Sequence, residues 1–291
     1  MKARIYYFSG TGNSLRAAEK IAEHIGGAEL ISMRCNPEEV SAEDCDVIGF
    51  TFPPYHWTMP APAVRFVEGL KINPNAYIFA VSTPGLICGY AFERVAELIK
   101  AKGAELDYGA KVYSVASYAV VYPPFPSPKL VVPRTERRLD KIGGEIAKRM
   151  HRDYPRAGAF VRARRDKVMV PYIELQKYAD RPFIVYDSCI SCGLCTRVCP
   201  CGNMELREGK PVFLGHCAQC MACVVNCPKR AIGYEIKEGD MELLKASSKK
   251  TPIAKLMKLP PKRKLYRNPY VSSADMTKDK IIIGQGGRNE E

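Results

Sequence analysis

Nowhere among the 291 residues do apolar side chains run on for long. The ~18 consecutive positions that a spanning helix needs are not reached, so no transmembrane segment is expected. The opening Met1-Lys2-Ala3-Arg4-Ile5-Tyr6-Tyr7-Phe8 enters a strand pattern at once. It lacks the apolar stretch and small-residue cleavage site of a secretion signal. A disulfide framework, which wants a secreted chain, is therefore not expected despite twelve cysteines. The expectation is a reducing, cytoplasmic setting. The first glycine-rich loop, residues 9–14, lacks the Gly-Lys-Ser/Thr ending of a triphosphate loop and the spacing of G-x-G-x-x-G. Acids are missing from 245–267, where nine lysines and arginines fall. No recognised nucleic-acid-binding fold accompanies that basic run, so nucleic acid ranks behind a solvated tail or a grip on an acidic partner.

What is present is a duplication. Cys189-x-x-Cys192-x-x-Cys195-x-x-x-Cys199-Pro200 returns 28 positions later as Cys217-x-x-Cys220-x-x-Cys223-x-x-x-Cys227-Pro228. Apolar Met204 and Ile232 keep the same offset. This is the spacing of iron–sulfur ligation. Short x-x gaps wrap three thiolates around one cube, and the Cys-Pro step carries the fourth away. Zinc knots pair two C-x-x-C elements without a third cysteine three residues on, so zinc fits less well. Cys201 breaks the repeat where Lys229 stands in the second copy, and a thiol near a cluster that ligates nothing is expected there.

The formal charge of +13 suggests a nucleic-acid binder at first sight. Two oxidised clusters with their thiolates and a flavin phosphate would each bring about −2, leaving roughly +7. A basic carrier of this kind is expected to meet acidic partners.

In the N-terminal half, residues 4–8 read as a buried strand and run into Ser9-Gly10-Thr11-Gly12-Asn13-Ser14. A helix follows, with Leu15, Ala18, Ile21, Ala22 and Ile25 on one face. A strand, a hydroxyl-rich glycine loop and a helix N-terminus make a phosphate cradle. Further apolar runs at 28–33, 46–52, 76–82 and 110–115 alternate with helical patterns near 62–70, 92–103 and 135–151. Five strands alternating with helices imply a parallel sheet. Its ligand edge would carry the loops 9–14, 53–60 and 83–90. The second loop holds Tyr55, His56 and the single tryptophan, Trp57, as aromatic faces for a flat ring, and the third offers Thr83 and Gly85 for its polar edge. The Pro-rich connection 117–133 is a candidate cover or partner surface. Cys35 and Cys45 read as ordinary buried thiols, and Cys88 as incidental.

Residues 183–236 resemble the bacterial two-[4Fe–4S] ferredoxins, and the loop 9–14 with Ile5, Tyr7, Ala18 and Ile21 resembles the phosphate loop of flavodoxins, with Ser14 where that pattern has threonine. The order of parts is similar to a family of prokaryotic flavodoxin–ferredoxin fusion proteins, and Tyr266-Arg267-Asn268-Pro269 is grouped with that likeness. The resemblance implies an α/β fold: a flavodoxin-like doubly wound parallel sheet plus a small α+β bacterial ferredoxin domain. It divides the chain into 1–152 for FMN, a basic linker 153–182, the ferredoxin-like 183–236 and a basic extension 237–291. It implies one cluster on Cys189, Cys192, Cys195 and Cys227, and another on Cys217, Cys220, Cys223 and Cys199. FMN would lie on Ser9, Thr11, Gly12, Asn13 and Ser14, with Tyr55, His56, Trp57, Thr83 and Gly85 around its ring. The expected function is electron transfer between the clusters, FMN and a redox partner protein. A flavin-dependent reductase of a quinone or nitro compound, and a dedicated donor subunit docking through its basic tail, are the other readings.

Overall fold

The computed structural model describes residues 1–164, 178–237, 257–284 and 287–288. In the N-terminal half the apolar runs form strands linked by helices: β1 (Ala3–Tyr7), α1 (Asn13–His24), β2 (Ala28–Ser32), β3 (Val47–Phe52), α2 (Ala61–Gly69), β4 (Tyr77–Ser82), α3 (Ala91–Lys100), β5 (Tyr108–Lys111) and α4 (Pro128–Ala147). β3 and β4 are buried at every position, as strands covered on both faces must be. The five strands pair in parallel in the order β2-β1-β3-β4-β5. That is the flavodoxin-like doubly wound order, and the α/β expectation holds.

Alternate residues of β1 serve opposite faces. Ile5 and Tyr7 pack with Leu15, Ile21, Leu139 and Ile142 of α1 and α4, while Tyr6 and Phe8 pack with Phe66, Phe92 and Val95 of α2 and α3. Two expected boundaries move. β5 begins at Tyr108 rather than 110, and α4 begins at Pro128 inside the Pro-rich connection. Proline at a first helical position loses no bond and is already turned for the helix. Pro133 lies within α4, so proline content alone placed the helix start too late.

The second unit is small. β6 (Phe183–Val185) pairs with β9 (Ile232–Tyr234), and β7 (Met204–Arg207) with β8 (Lys210–Phe213), both antiparallel. Phe183 anchors it, edge-on to Tyr234 at 4.9 Å and stacked on Phe213 at 5.5 Å between ring centroids. The repeat is written into the backbone as well as the cysteines. Ser191 and Gln219, Gly193 and Met221, and Gly202 and Arg230 all have positive φ, each pair 28 positions apart. Non-glycine residues avoid that region unless their surroundings hold them there.

The far end of the chain completes the first unit. β10 (Lys280–Gly284) runs antiparallel to β2, with Ile281 opposite Leu30, and buries Ile281 and Ile283 in the α1–α4 core. This part of the expected basic extension is thus a strand of the sheet, and the short β11 (Gly287–Arg288) pairs antiparallel on its outer side. Four of the nine cations of the run fall in 238–256, outside the described residues. In the rest Met257, Leu259 and Leu265 pack against the core of the small unit, while Lys258, Lys262, Lys264 and Arg267 are exposed.

The small unit sits over the carboxyl ends of the parallel strands. Val198 and Ala222 join one core of the sheet, Ala218 joins the other, and Cys220 packs against both. At the junction a Cβ on Gly10 would lie 2.1 Å from the carbonyl oxygen of Cys220. Gly10→Ala should therefore cost roughly 1–3 kcal/mol, the usual overpacking penalty. Gly144→Ala, in α4 with nothing within 4 Å of a new Cβ, should instead gain about 0.5–1 kcal/mol from helix propensity. Urea midpoints of the two variants check this contrast, and equal midpoints would remove the close approach at Gly10.

Candidate functional site

Cys189, Cys192, Cys195 and Cys227 line one small space whose other walls are apolar, among them Leu194, Leu206 and Ile232. Among the described residues no three His, Cys, Asp or Glu side chains close on a single metal ion. The four sulfurs ring a volume instead. Burial pushes the Cys195 thiol up to about 11. In the other group burial, then the neighbouring sulfurs, push Cys217 and Cys223 well above the ordinary thiol value. Burial followed by Cys199 takes Cys220 up to about 12. Cys199 is the exception. A hydrogen bond from the Cys201 thiol holds it down to about 6, and Cys201 itself is raised by the same pairing and by burial. Ligating sulfur must be thiolate, and a buried thiolate needs a cation or donors nearby. Backbone donors are in place: Asn203 N–H to Cys199 Sγ at 3.3 Å, Gln219 N–H to Cys217 Sγ at 3.2 Å, and Ala231 N–H to Cys227 Sγ at 3.2 Å. The structure thus brings both expected quartets together, and this donor set fits iron–sulfur ligation.

The glycine loop lies against the second quartet. Gly12 takes φ 91° at the start of α1, which has no side-chain cap and no acid in its first turn. Its N–H donates to Ser9 Oγ at 3.1 Å. Thr11 Oγ1 meets Ser117 Oγ at 2.9 Å, and Ser14 Oγ meets Thr83 Oγ1 at 2.8 Å. In a pair of hydroxyls one proton serves the pair and the other is free to reach a further acceptor. An uncapped helix terminus plus two such pairs fits a phosphate. At the same edge Thr58 Oγ1 and Ser82 Oγ are buried without a hydrogen-bond partner, although the Cys88 thiol lies beside Ser82. Buried polar groups of this kind are costly unless something meets them.

Tyr55, His56 and Trp57 form a tight turn, closed by Tyr55 N–H to the Thr58 carbonyl at 2.9 Å and the reverse bond at 3.0 Å. His56 and Trp57 both have positive φ, 47° and 66°. A turn that needs positive φ twice normally takes Asn-Gly. Two bulky residues there cost about 1–3 kcal/mol each, and strain of that kind gathers at functional sites. Gly89 permits the turn, since a Cβ on it would fall 2.2 Å from the Trp57 carbonyl oxygen. Tyr55 sets its ring edge-on to Phe8, and Trp57 lies 6.3 Å from Phe160. His56 is exposed as a residue, and desolvation of its imidazole pushes it down to about 4. Thr83 reaches the loop through Ser14. Gly85 is packed closely against Ala116, whose side chain a Cβ at 85 would meet at 2.4 Å.

Sequence reasoning missed the strap that covers the loop. Asn268 N–H donates to the Thr11 carbonyl at 2.8 Å. Asn13 Oδ1 accepts from Tyr266 Oη at 3.0 Å and from Asn268 Nδ2 at 3.1 Å, while Asn13 Nδ2 donates to the Val115 carbonyl at 3.2 Å. Next to them Arg267 donates to Asn226 Oδ1 at 3.2 Å, directly before Cys227. The strap thus ties the glycine loop to the first quartet. The only sequence signal for it is the Tyr266–Pro269 tetrapeptide.

No protein-family model matches the chain. A ferredoxin of Pyrobaculum islandicum is 44% identical over 61 residues, which span 20% of this chain and 56% of that protein. Among solved structures an archaeal flavodoxin aligns with 51% of this chain and 97% of its own at 19% identity and TM-score 0.37. The flavodoxin of Megasphaera elsdenii aligns with 50% and 98% at 18% identity and TM-score 0.36. At these scores the likenesses carry no argument, and the fold rests on the strand order. Among the described residues no helix is long and apolar enough to cross a membrane.

The depressed His56 value has a stability consequence. The unfolded chain takes up the proton first, so stability falls as pH drops from about 6.5 toward the folded value of about 4. His56→Gln should flatten that limb. Emission of the single tryptophan, adjacent at 57, reports unfolding in urea at pH 7 and pH 5. Identical midpoint shifts in the two proteins would mean that His56 is protonated equally in both states.

Proposed function

We propose that the chain is an electron-transfer protein that holds two [4Fe–4S] clusters and one FMN and exchanges electrons with a redox partner. Cys189, Cys192, Cys195 and Cys227 would hold one cluster, and Cys217, Cys220, Cys223 and Cys199 the other. Ser9, Thr11, Gly12, Asn13 and Ser14 would take the flavin phosphate, with Thr83 orienting Ser14. The observation that carries the reading is the contact of Gly10 with Cys220, which sets the phosphate loop against a ligand of the second quartet. Clusters supply one-electron steps, and a flavin supplies exchange between one- and two-electron chemistry.

The rest is done by this chain's own groups. Peptide N–H donors at Cys199, Cys217 and Cys227 favour charge on the sulfurs. Leu194, Leu206 and Ile232 give the first quartet apolar walls. A neutral His56 offers one N–H donor and one acceptor at neutral pH. The exposed side chains of Leu86, Ile87, Tyr122 and Phe125, on loops joined by the Ala116–Phe125 bridge and the Gly85–Ala116 contact, form an apolar rim. That rim suits a partner surface, and the overall basic charge suits an acidic partner. The same rim is the observation that favours the second reading, a reductase of a small quinone or nitro acceptor.

Anaerobic reconstitution with iron, sulfide and FMN should give about eight irons and one flavin per chain. FMN should quench the emission of Trp57. Thr11→Val should weaken FMN binding roughly tenfold or more, because a hydrogen bond to a charged group is worth about 1.5–3 kcal/mol. Half the iron in folded protein would remove one cluster, and the absence of quenching would remove the flavin. Turnover with a small quinone that matches reduction of a protein acceptor would favour the reductase.

A further inference from the structure

A cavity of about 850 Å³ opens between the two units on the α2 side of the sheet. It is separate from the glycine loop, which faces α1 and the strap. Its size is that of small-molecule sites. Met33, Val40 and Phe66 give it an apolar floor, and the turn Cys199-Pro200-Cys201-Gly202 forms one wall. Thr277, Asp279 and Lys280 of the C-terminal segment close another side.

The charges around it are unevenly matched. Arg34 is fully engaged, with its guanidinium bonded to Asp279 and to the carbonyls of Arg197 and Thr277. Lys280 pairs with Glu29 at 3.5 Å. Glu39 accepts from Asn36 Nδ2 at 3.3 Å. Arg65, from α2, and Arg197, two residues after Cys195, also line the cavity, are exposed, and form no ion pair among the described residues. One guanidinium comes from each unit. Planar guanidinium groups bind carboxylate, sulfonate or phosphate oxygens in pairs.

We propose that this cavity binds a small aromatic compound carrying acidic groups, its anions held by Arg65 and Arg197 and its apolar body laid on Phe66 beside Cys199. The reading of Cys199 as a cluster ligand gives such a compound a reason to bind there, since it would stand next to one redox centre. The binding itself rests only on the two arginines and the floor, and it requires no flavin.

The test is isothermal titration of the iron-loaded, oxidised protein, with and without FMN, using anthraquinone-2,6-disulfonate and neutral menadione as probes. The disulfonate should bind at least about tenfold more tightly than menadione, equally in both forms of the protein. R65E/R197E should lose at least about tenfold in disulfonate affinity while keeping its iron content. Arg65→Glu alone, at an exposed position of α2 and outside the cysteine loops, should lose part of the affinity and serves if the double variant does not hold iron. Equal affinity for the two quinones, or unchanged affinity in the variants, overturns the proposal. So does disulfonate binding that FMN abolishes, because the compound would then be in the flavin crevice. Failure of FMN to bind at all would count against the flavin reading and leave this one standing.

Discussion

The carbonyl of Cys220 pressed against Gly10 is the contact on which the remaining architecture turns. Only a residue without a side chain lets the two backbones meet there. The same Cys220 borders both cores of the sheet, so the small unit is wedged over the ends of the strands instead of hanging from a linker. Such a seat fixes the separation of the glycine loop and the cysteine loops, whereas two units joined by a loose connection would sample many separations.

Around that contact the chain accepts several local costs. Burial disfavours the charged form of Cys217 and Cys223, and amide donors are aimed at Cys199, Cys217 and Cys227. His56 and Trp57 take a backbone turn that suits Asn-Gly. Thr58 and Ser82 leave hydroxyls unmatched at the strand ends. Natural sequences break local rules mostly where function demands it, and these departures all fall along one edge of the sheet or in the cysteine loops facing it.

Much of this was legible in the sequence because it is local. Cysteine spacing, the glycine loop and the alternation of strand and helix are all contained within windows of a few tens of residues, and the strand order is implied by the resemblance to flavodoxins. What escaped notice is long-range. Asn268 meets Asn13 across 255 positions, and β10 adds to a sheet whose other long strands end at Lys111. A run such as Lys280-Ile-Ile-Ile-Gly284 reads as a strand only once its partner is known. The close approach of Gly85 to Ala116 was hidden for a related reason, since glycine serves a packing contact as readily as a ligand and the sequence does not distinguish the two. The repeat of positive φ at 191 and 219 was equally hidden, since serine and glutamine do not announce that conformation.

The strap and β10 set an order of events during synthesis. β2 leaves the ribosome some 250 residues ahead of the strand that covers its edge, an interval on the order of tens of seconds at ordinary elongation rates. Until then that edge is an open template for pairing with other chains. The glycine loop stays uncovered meanwhile, and the cysteine loops emerge before the segment that fastens them to it. Folding of this sheet is therefore completed by residues 266–284, which cover the edge of β2 and fasten the glycine loop.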